Sequence, residues 1–122
     1  MSKKRGNQTF VIESDISIKN TYSIAGPEEG EGSFKDYYDY LLDDDLWECK
    51  SYEKAEIKIH KEVIDGVLKK EYLTHRNIDC IFGGDLLNQI ISSSFSAREF
   101  EVPFIGLYGA CSTFGESLAV AS

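Results

Sequence analysis

An α/β fold with a mainly parallel sheet is predicted by three features of this 122-residue sequence. Apolar residues alternate near the N terminus, as in half-buried strands. A middle segment repeats apolar residues at helical spacing. Two short apolar runs, 78–82 and 103–108, are each followed by a helix-like segment. This order of strands and helices favours parallel pairing with right-handed crossovers.

The first 47 residues predict two strands, a loop and a short helix. Thr9–Glu13 and Ile16–Ile24 carry the strand alternation, and residues 25–33 hold the proline and glycines of a loop. From Phe34 to Trp47 aromatic residues interleave with aspartates. A calcium loop is excluded because the glycine and later glutamate of an EF-hand are missing. We therefore predict a solvated short helix whose inward side chains are Phe34, Tyr38 and Leu41.

A longer helix is predicted after Ser51, which can cap it, with Glu53 and Glu56 in or near the positive first turn. Two apolar sides predict that this helix is covered twice, by the sheet and by a further element. One side contains Tyr52, Ala55, Ile59, Val63 and Val67, and the other contains Ile57, Ile64 and Leu68. His60 and His75 are interpreted as surface or boundary side chains rather than ligands.

Candidate binding residues follow the strand predicted at Ile78–Phe82 and the glycines after it. Asp85, Asn88 and Gln89 come after its carboxyl end, where open parallel sheets place their clefts. Asp85 is more typical of a helix cap than of a catalytic residue, and the serines at 92–94 are more typical of caps than of a pocket lining.

A second candidate is Cys111, which follows the strand predicted at Pro103–Tyr108 and the break at Gly109. The first turn of a helix presents unpaired amides and partial positive charge, which favour a thiolate or a bound anion. Such a cysteine is a candidate nucleophile for acyl transfer. The alternative is a buried structural cysteine, because free cysteines are often buried. The nearly uncharged helix after it is predicted to be buried on most sides.

Charge and cysteine content exclude several classes of protein. A formal charge of −8 opposes nucleic-acid binding, and any anion site must be local, supplied by helix amides, a glycine-rich turn or an arginine such as Arg98. No run approaches the roughly 20 apolar residues of a membrane span, and residues 1–10 lack the apolar stretch of a signal peptide. Three scattered cysteines (49, 80 and 111) predict neither a disulfide framework nor structural zinc, so we expect no metal and no cofactor.

Ordered motifs along the chain carry a family resemblance. They are the Gly30-Glu31-Gly32 turn, Asp44-Asp45-Leu46, the helix start from Lys50 to Glu56, Gly84 to Gln89, Ser92 to Phe95 with Ala97-Arg98-Glu99, and Pro103 with Gly106 to Thr113. Together they closely resemble the stage V sporulation protein AD family of the thiolase-like superfamily. The resemblance implies that residues 1–122 are an incomplete amino-terminal thiolase-like domain, the partial first half of a duplicated αβαβα fold.

The resemblance further implies dipicolinic acid binding and its uptake into the developing spore, together with other stage V sporulation membrane proteins. The implied location is cytoplasmic or peripheral to the inner spore membrane. Cys111, Asp85, Asn88 and Gln89 are then the candidate ligand-binding residues. The alternatives are a thiolase-like acyltransferase with Cys111 as nucleophile, and a chain that acts only through protein contacts.

Condensing activity is not expected. Thiolase-like enzymes take their catalytic histidines from later in the chain, and Phe114 stands where a small residue often follows the cysteine. We also expect Cys111 to be shielded, with Cys49 reacting first with bulky thiol reagents. Uncovered apolar faces predict that this segment alone is not a stable monomer, with homo-oligomerisation or disorder at the carboxyl end. We also expect no ligand binding by this segment alone, because the contacts of the second half are lacking.

Overall fold

The computed structural model describes residues 2–122, and its strands form three separate two-stranded sheets in that range. Strands β1 (Ser2–Arg5) and β2 (Thr9–Ile12) are antiparallel. Parallel pairs are formed by β3 (Ile24–Ala25) with β4 (Tyr40–Leu41), and by β5 (Ile81–Gly83) with β6 (Phe104–Gly106). The α-helices are α1 (Tyr52–Lys70), α2 (Ile91–Ala97) and α3 (Thr113–Ala121). The predicted α/β class is confirmed, whereas the thiolase-like duplication stays a prediction.

Helix α1 forms where the sequence predicts it. The Ser51 side chain accepts a hydrogen bond from the main-chain amide of Lys54 at 3.4 Å, and Lys69 and Lys70 complement the negative end of the helix. Both predicted apolar sides are buried or half-buried, apart from the exposed Tyr52. Both sides of α1 are therefore at least partly covered.

The core lies where α2 crosses α1. Ser92, Ser93, Ser96 and Ala97 of α2 are buried, and α2 packs on α1. These small side chains let the two helix backbones come close together. The buried apolar residues, Leu42, Ala55, Leu68, Ala97 and Phe100, form a small core.

The strand predicted at Ile16–Ile24 is wrong except at its end. Residues 16–19 are exposed, and the chain forms a strand only at Ile24–Ala25. The segment before β3 is instead held by side chains at the end of α1: Lys70 Nζ donates to the Thr21 carbonyl at 2.8 Å, and Asn20 Nδ2 donates to Glu71 at 2.8 Å. These contacts replace a strand ladder.

The helix predicted from Phe34 to Trp47 is also wrong. The structure has a 3₁₀ turn at Lys35–Tyr37, then β4, and Phe34 is exposed. The aspartates of this segment hydrogen-bond to main-chain groups. Asp39 accepts from the Ser23 amide and Asp44 from the Leu46 amide, both at 2.8 Å. Such bonds stabilise non-helical backbone and so outcompete the helix.

Helix α3 is not buried. It contacts β5 and its own preceding turn, and none of its residues is buried. The remaining faces of α3 meet solvent because no other described element packs on them to a similar extent. No helix within residues 2–122 is long and apolar enough to cross a bilayer.

Candidate functional site

The candidate site lies at the carboxyl ends of β5 and β6. The Ile81 amide donates to the Pro103 carbonyl and the Leu107 amide to the Gly83 carbonyl, both at 2.8 Å. This register places the turn after β5 beside the turn after β6. A Cβ at Gly84 would overlap the Leu107 carbonyl oxygen and lie 3.1 Å from Thr113 Cγ2. Glycine at position 84 therefore permits the close approach of the two turns.

Asp85 organises the turn after β5. Its Oδ1 accepts from the main-chain amides of Asn88 at 3.1 Å and Ile90 at 3.0 Å. Its Oδ2 accepts from the amide and hydroxyl of Ser93, at 2.9 and 2.8 Å. Gln89 and Ile90 both have left-handed backbone, with φ of 50° and 64°. This conformation is costly for these residues, and the bonds to Asp85 help hold it.

The Asp85 carboxylate is buried, and its hydrogen bonds favour its charged form. Burial alone would raise its pKa, yet the hydrogen bonds from Ser93, Asn88 and Ile90 outweigh burial and hold the pKa below its usual value. Both oxygens are engaged, Oδ1 by the loop and Oδ2 by Ser93 in the first turn of α2. The capping interpretation of Asp85 is thus the one that its contacts support.

Cys111 lies in the 3₁₀ turn Ala110–Ser112 that leads into α3. The preceding residue, Ala110, is left-handed with φ of 49°. Strain of this kind at a non-glycine residue is concentrated at functional sites. Cys111 is exposed, so the predicted shielding is wrong, whereas Cys49 and Cys80 are half-buried. The exposure follows from the uncovered faces of α3.

A carboxylate already occupies the start of α3. The Ser112 hydroxyl oxygen lies 2.7 Å from the Gly109 carbonyl oxygen and 2.9 Å from Glu116 Oε1, so its one proton can be donated to either acceptor. The Glu116 carboxylate lies beside Gly109, where a Cβ would overlap it. Acidic groups stabilise the positive end of a helix. A bound anion would therefore compete with Glu116.

The predicted site residues are brought together only in part. Asp85 and Asn88 share one loop, where Asn88 is half-buried and Gln89 exposed. Within residues 2–122, no hydrogen bond joins Cys111 to these three residues. Arg98 lies 5.4 Å from the Phe95 ring centroid in a cation–π contact. No cluster of metal-ligating side chains occurs in the described part of the chain.

A mainly apolar pocket lies between α1 and α2, and the sequence pointed to the serines of α2 as pocket residues but not to His60 of α1. His60, Ser93 and Ser96 line a cavity of about 260 Å³ with mainly apolar walls. Burial lowers the pKa of His60, although the nearby Glu56 and Asp85 carboxylates oppose this shift. The buried Ser92 hydroxyl has no hydrogen-bond partner among the described residues. The spacing of Ser92, Ser93 and Ser96 on one side of a helix was the available signal.

Comparison with known proteins identifies the family. The family model for stage V sporulation protein AD matches residues 6–122. A relative named stage V sporulation protein AD from Bacillus subtilis (strain 168) is 38% identical over 120 residues. The alignment covers 98% of this chain and 36% of that relative, so the chain spans about a third of the relative's length.

Proposed function

This chain belongs to the stage V sporulation protein AD family, and on that premise we propose that it forms part of a protein that binds dipicolinic acid and loads it into the developing spore. The partners in this proposal are other stage V sporulation membrane proteins. Its place is the cytoplasm or the periphery of the inner spore membrane. The observation that carries the proposal is the family match over residues 6–122, which includes both turns of the candidate site.

The geometry supports an anion site between the two turns. Dipicolinate is a planar ring with two carboxylates, so its site must supply hydrogen-bond donors. The first-turn amides at Ala110 and Cys111 have no side-chain cap from Gly109. The half-buried Asn88 and the exposed Gln89 follow the neighbouring strand. The Asp85 carboxylate acts as a positioning residue, because its hydrogen bonds fix the loop that carries the two amides.

The test is calorimetric titration of dipicolinate into the full-length family protein that carries this segment. Asn88→Ala should weaken binding while leaving the melting temperature nearly unchanged. The matched control is Asn7→Ala, in the exposed turn between β1 and β2. Equal binding by Asn88→Ala with a lowered melting temperature would show that Asn88 has only a structural role.

Glu116 gives a second, independent test of the same site. Its carboxylate must turn away from Ser112 when an anion binds at the start of α3. Glu116→Gln keeps the shape of the side chain and removes the repulsion. Two charges about 4 Å apart in water interact by about 1 kcal/mol, so roughly fivefold tighter binding of dipicolinate is expected. Unchanged affinity would place the ligand away from this turn.

The alternative function is acyl transfer with Cys111 as the nucleophile. The exposed sulfur and the left-handed Ala110 before it favour this candidate. We nevertheless propose that the protein has no condensing activity, because Phe114 departs from the usual pattern of the thiolase-like enzymes. Incubation of the full-length protein with acyl-coenzyme A and mass spectrometry separates the two functions. A stoichiometric acyl adduct on Cys111 would contradict a purely binding role.

A further inference from the structure

The N-terminal hairpin, β1 and β2 with their turn, differs in charge from the rest of the molecule. Residues 1–12 contain three of the 13 basic side chains and none of the 21 acidic ones. Lys3 Nζ lies 3.6 Å from the Glu13 carboxylate. Within residues 2–122, Lys4 and Arg5 form no ion pair and are exposed. The hairpin therefore carries uncompensated positive charge on an acidic protein.

One face of the hairpin combines this charge with apolar side chains. The antiparallel register sets Lys4 opposite Phe10, and Ile12 lies two residues further on the same face. Phe10 is 53% and Ile12 38% exposed. Val11, on the other face, is half-buried. The exposed face thus presents an aromatic ring, an aliphatic side chain and a lysine together.

The hairpin is accessible to a large partner. Its two strands contact each other far more than they contact any other described element. In the connection from β2 to β3, residues 13–19 are all exposed and include two further exposed isoleucines, Ile16 and Ile18. Uncovered apolar groups beside basic residues are the composition of peptides that lie in a bilayer interface.

We propose that this hairpin face binds the surface of an anionic lipid bilayer, with Phe10 and Ile12 entering the headgroup region and Lys4 and Arg5 meeting the acidic headgroups. Arg5 lies on the opposite face near the turn, from which a long side chain can reach the interface. A bilayer fits better than a nucleic acid because it buries the apolar side chains, which a phosphate backbone would leave exposed. The proposal deepens the membrane-peripheral location proposed above and does not depend on dipicolinate binding.

The experiment is co-sedimentation of the 122-residue chain with vesicles of phosphatidylcholine, alone or mixed with phosphatidylglycerol. Each basic side chain near an anionic surface contributes about 1 kcal/mol, so Lys4→Gln/Arg5→Gln should lower the partition constant roughly 30-fold. The matched control is Lys50→Gln/Lys54→Gln, which removes the same charge from exposed lysines near the start of α1. The control should bind like the wild type.

Two further measurements separate the contribution of charge to vesicle binding from that of the apolar side chains. Raising the salt from about 0.1 M to about 1 M shortens the Debye length from about 10 Å to about 3 Å and should weaken wild-type binding much more than that of the Lys4/Arg5 variant. Phe10→Thr/Ile12→Thr should weaken binding at both salt concentrations. Size-exclusion chromatography of every variant beforehand checks that the oligomeric state is unchanged.

The proposal is overturned if the wild type fails to bind the anionic vesicles. Binding of an acidic protein or a nucleic acid to the hairpin would not rescue it. Equal losses in the Lys4/Arg5 variant and in the Lys50/Lys54 control would overturn it as well. Titration of dipicolinate into the full-length protein with the hairpin variants should give wild-type affinity. If dipicolinate did not bind but the vesicles did, the lipid-binding proposal would still be supported.

Discussion

At the residue scale, Asp85 contributes to the free energy of unfolding through its hydrogen bonds. Its four hydrogen bonds hold the left-handed residues Gln89 and Ile90 and satisfy the buried Ser93. Asp85→Ala should lower the free energy of unfolding by about 1–3 kcal/mol, because it leaves buried donors unsatisfied. Urea denaturation measures this change, with the exposed Asp43→Ala as control. Identical midpoints for the two variants would contradict the structural role.

The same carboxylate predicts a pH dependence. Since folding lowers the pKa of Asp85 below its ordinary 3.8, its charge stabilises the fold above that pH, and the stabilisation is lost as the pH falls through the folded value. The difference in unfolding free energy between wild type and Asp85→Asn should therefore be constant near neutral pH and shrink in acid. A difference that grew on acidification would contradict the lowered pKa.

Cysteine labelling tests the exposure of the turn before α3. The structure leaves Cys111 exposed and Cys49 and Cys80 half-buried. A bulky maleimide should therefore modify Cys111 first, with Cys111→Ser removing the fastest phase. Peptide mapping at short times identifies the modified residue. Faster modification of Cys49 would show that the start of α3 is covered in solution.

At the residue scale, the sequence predicts roles that depend on nearby residues and misses those that depend on distant packing. Ser51 and Asp85 act on main-chain groups within a few residues, so their capping roles were predictable. The exposure of Cys111 depends on what packs against α3, which no local pattern encodes. Ala110 gave no signal because alanine, unlike glycine or asparagine, has no preference for the left-handed backbone that it adopts.

At the element scale, α1 was predictable and the segment before it was not. Its cap, charged ends and apolar sides all lie within the helix itself. The alternation at residues 16–24 instead suggested a strand, but side chains of Lys70 and Glu71, about 50 residues away, hold that segment. A strand needs a neighbouring strand to pair with. At residues 16–24, long-range polar contacts hold the segment in place of such pairing.

One glycine in α1 and one in α3 give a matched pair of substitutions. A Cβ at Gly66 would lie 2.6 Å from the Tyr22 ring, whereas a Cβ at Gly115 in α3 would have no atom within 4 Å. Alanine is a better helix former than glycine by up to about 1 kcal/mol. Gly66→Ala should nevertheless destabilise the protein by roughly 1–3 kcal/mol through overpacking, and Gly115→Ala should be neutral or stabilising.

Urea denaturation of both glycine variants provides the comparison. Adding Tyr22→Ala to Gly66→Ala removes the ring that the new methyl group meets. The double variant should then lose less than the sum of the two single changes. Strict additivity would show that Tyr22 and Gly66 are not in contact.

At the scale of the whole molecule, small sheets and a small core leave large apolar side chains in solvent. The five buried apolar residues belong to α1, α2, the turn after α2 and the segment after β4. The exposed apolar residues of β6, the turn after it and α3 lie close together in the chain, and include Ile105, Tyr108, Phe114 and Leu118. Exposed large apolar side chains grouped in this way are typical of surfaces that bind other proteins.

This surface predicts self-association of the chain. Light scattering after size-exclusion chromatography should show dimers or larger species whose share rises with protein concentration. Full burial of a phenylalanine or leucine side chain is worth about 1.5–3 kcal/mol. Phe114→Ser/Leu118→Ser should therefore raise the dissociation constant by at least roughly a hundredfold, because 1.4 kcal/mol is tenfold. The control is Tyr72→Ser, which removes a fully exposed aromatic residue after α1 and should leave the association unchanged. A wild-type chain that stays monomeric at every concentration would show that the α3 face does not bind a second copy.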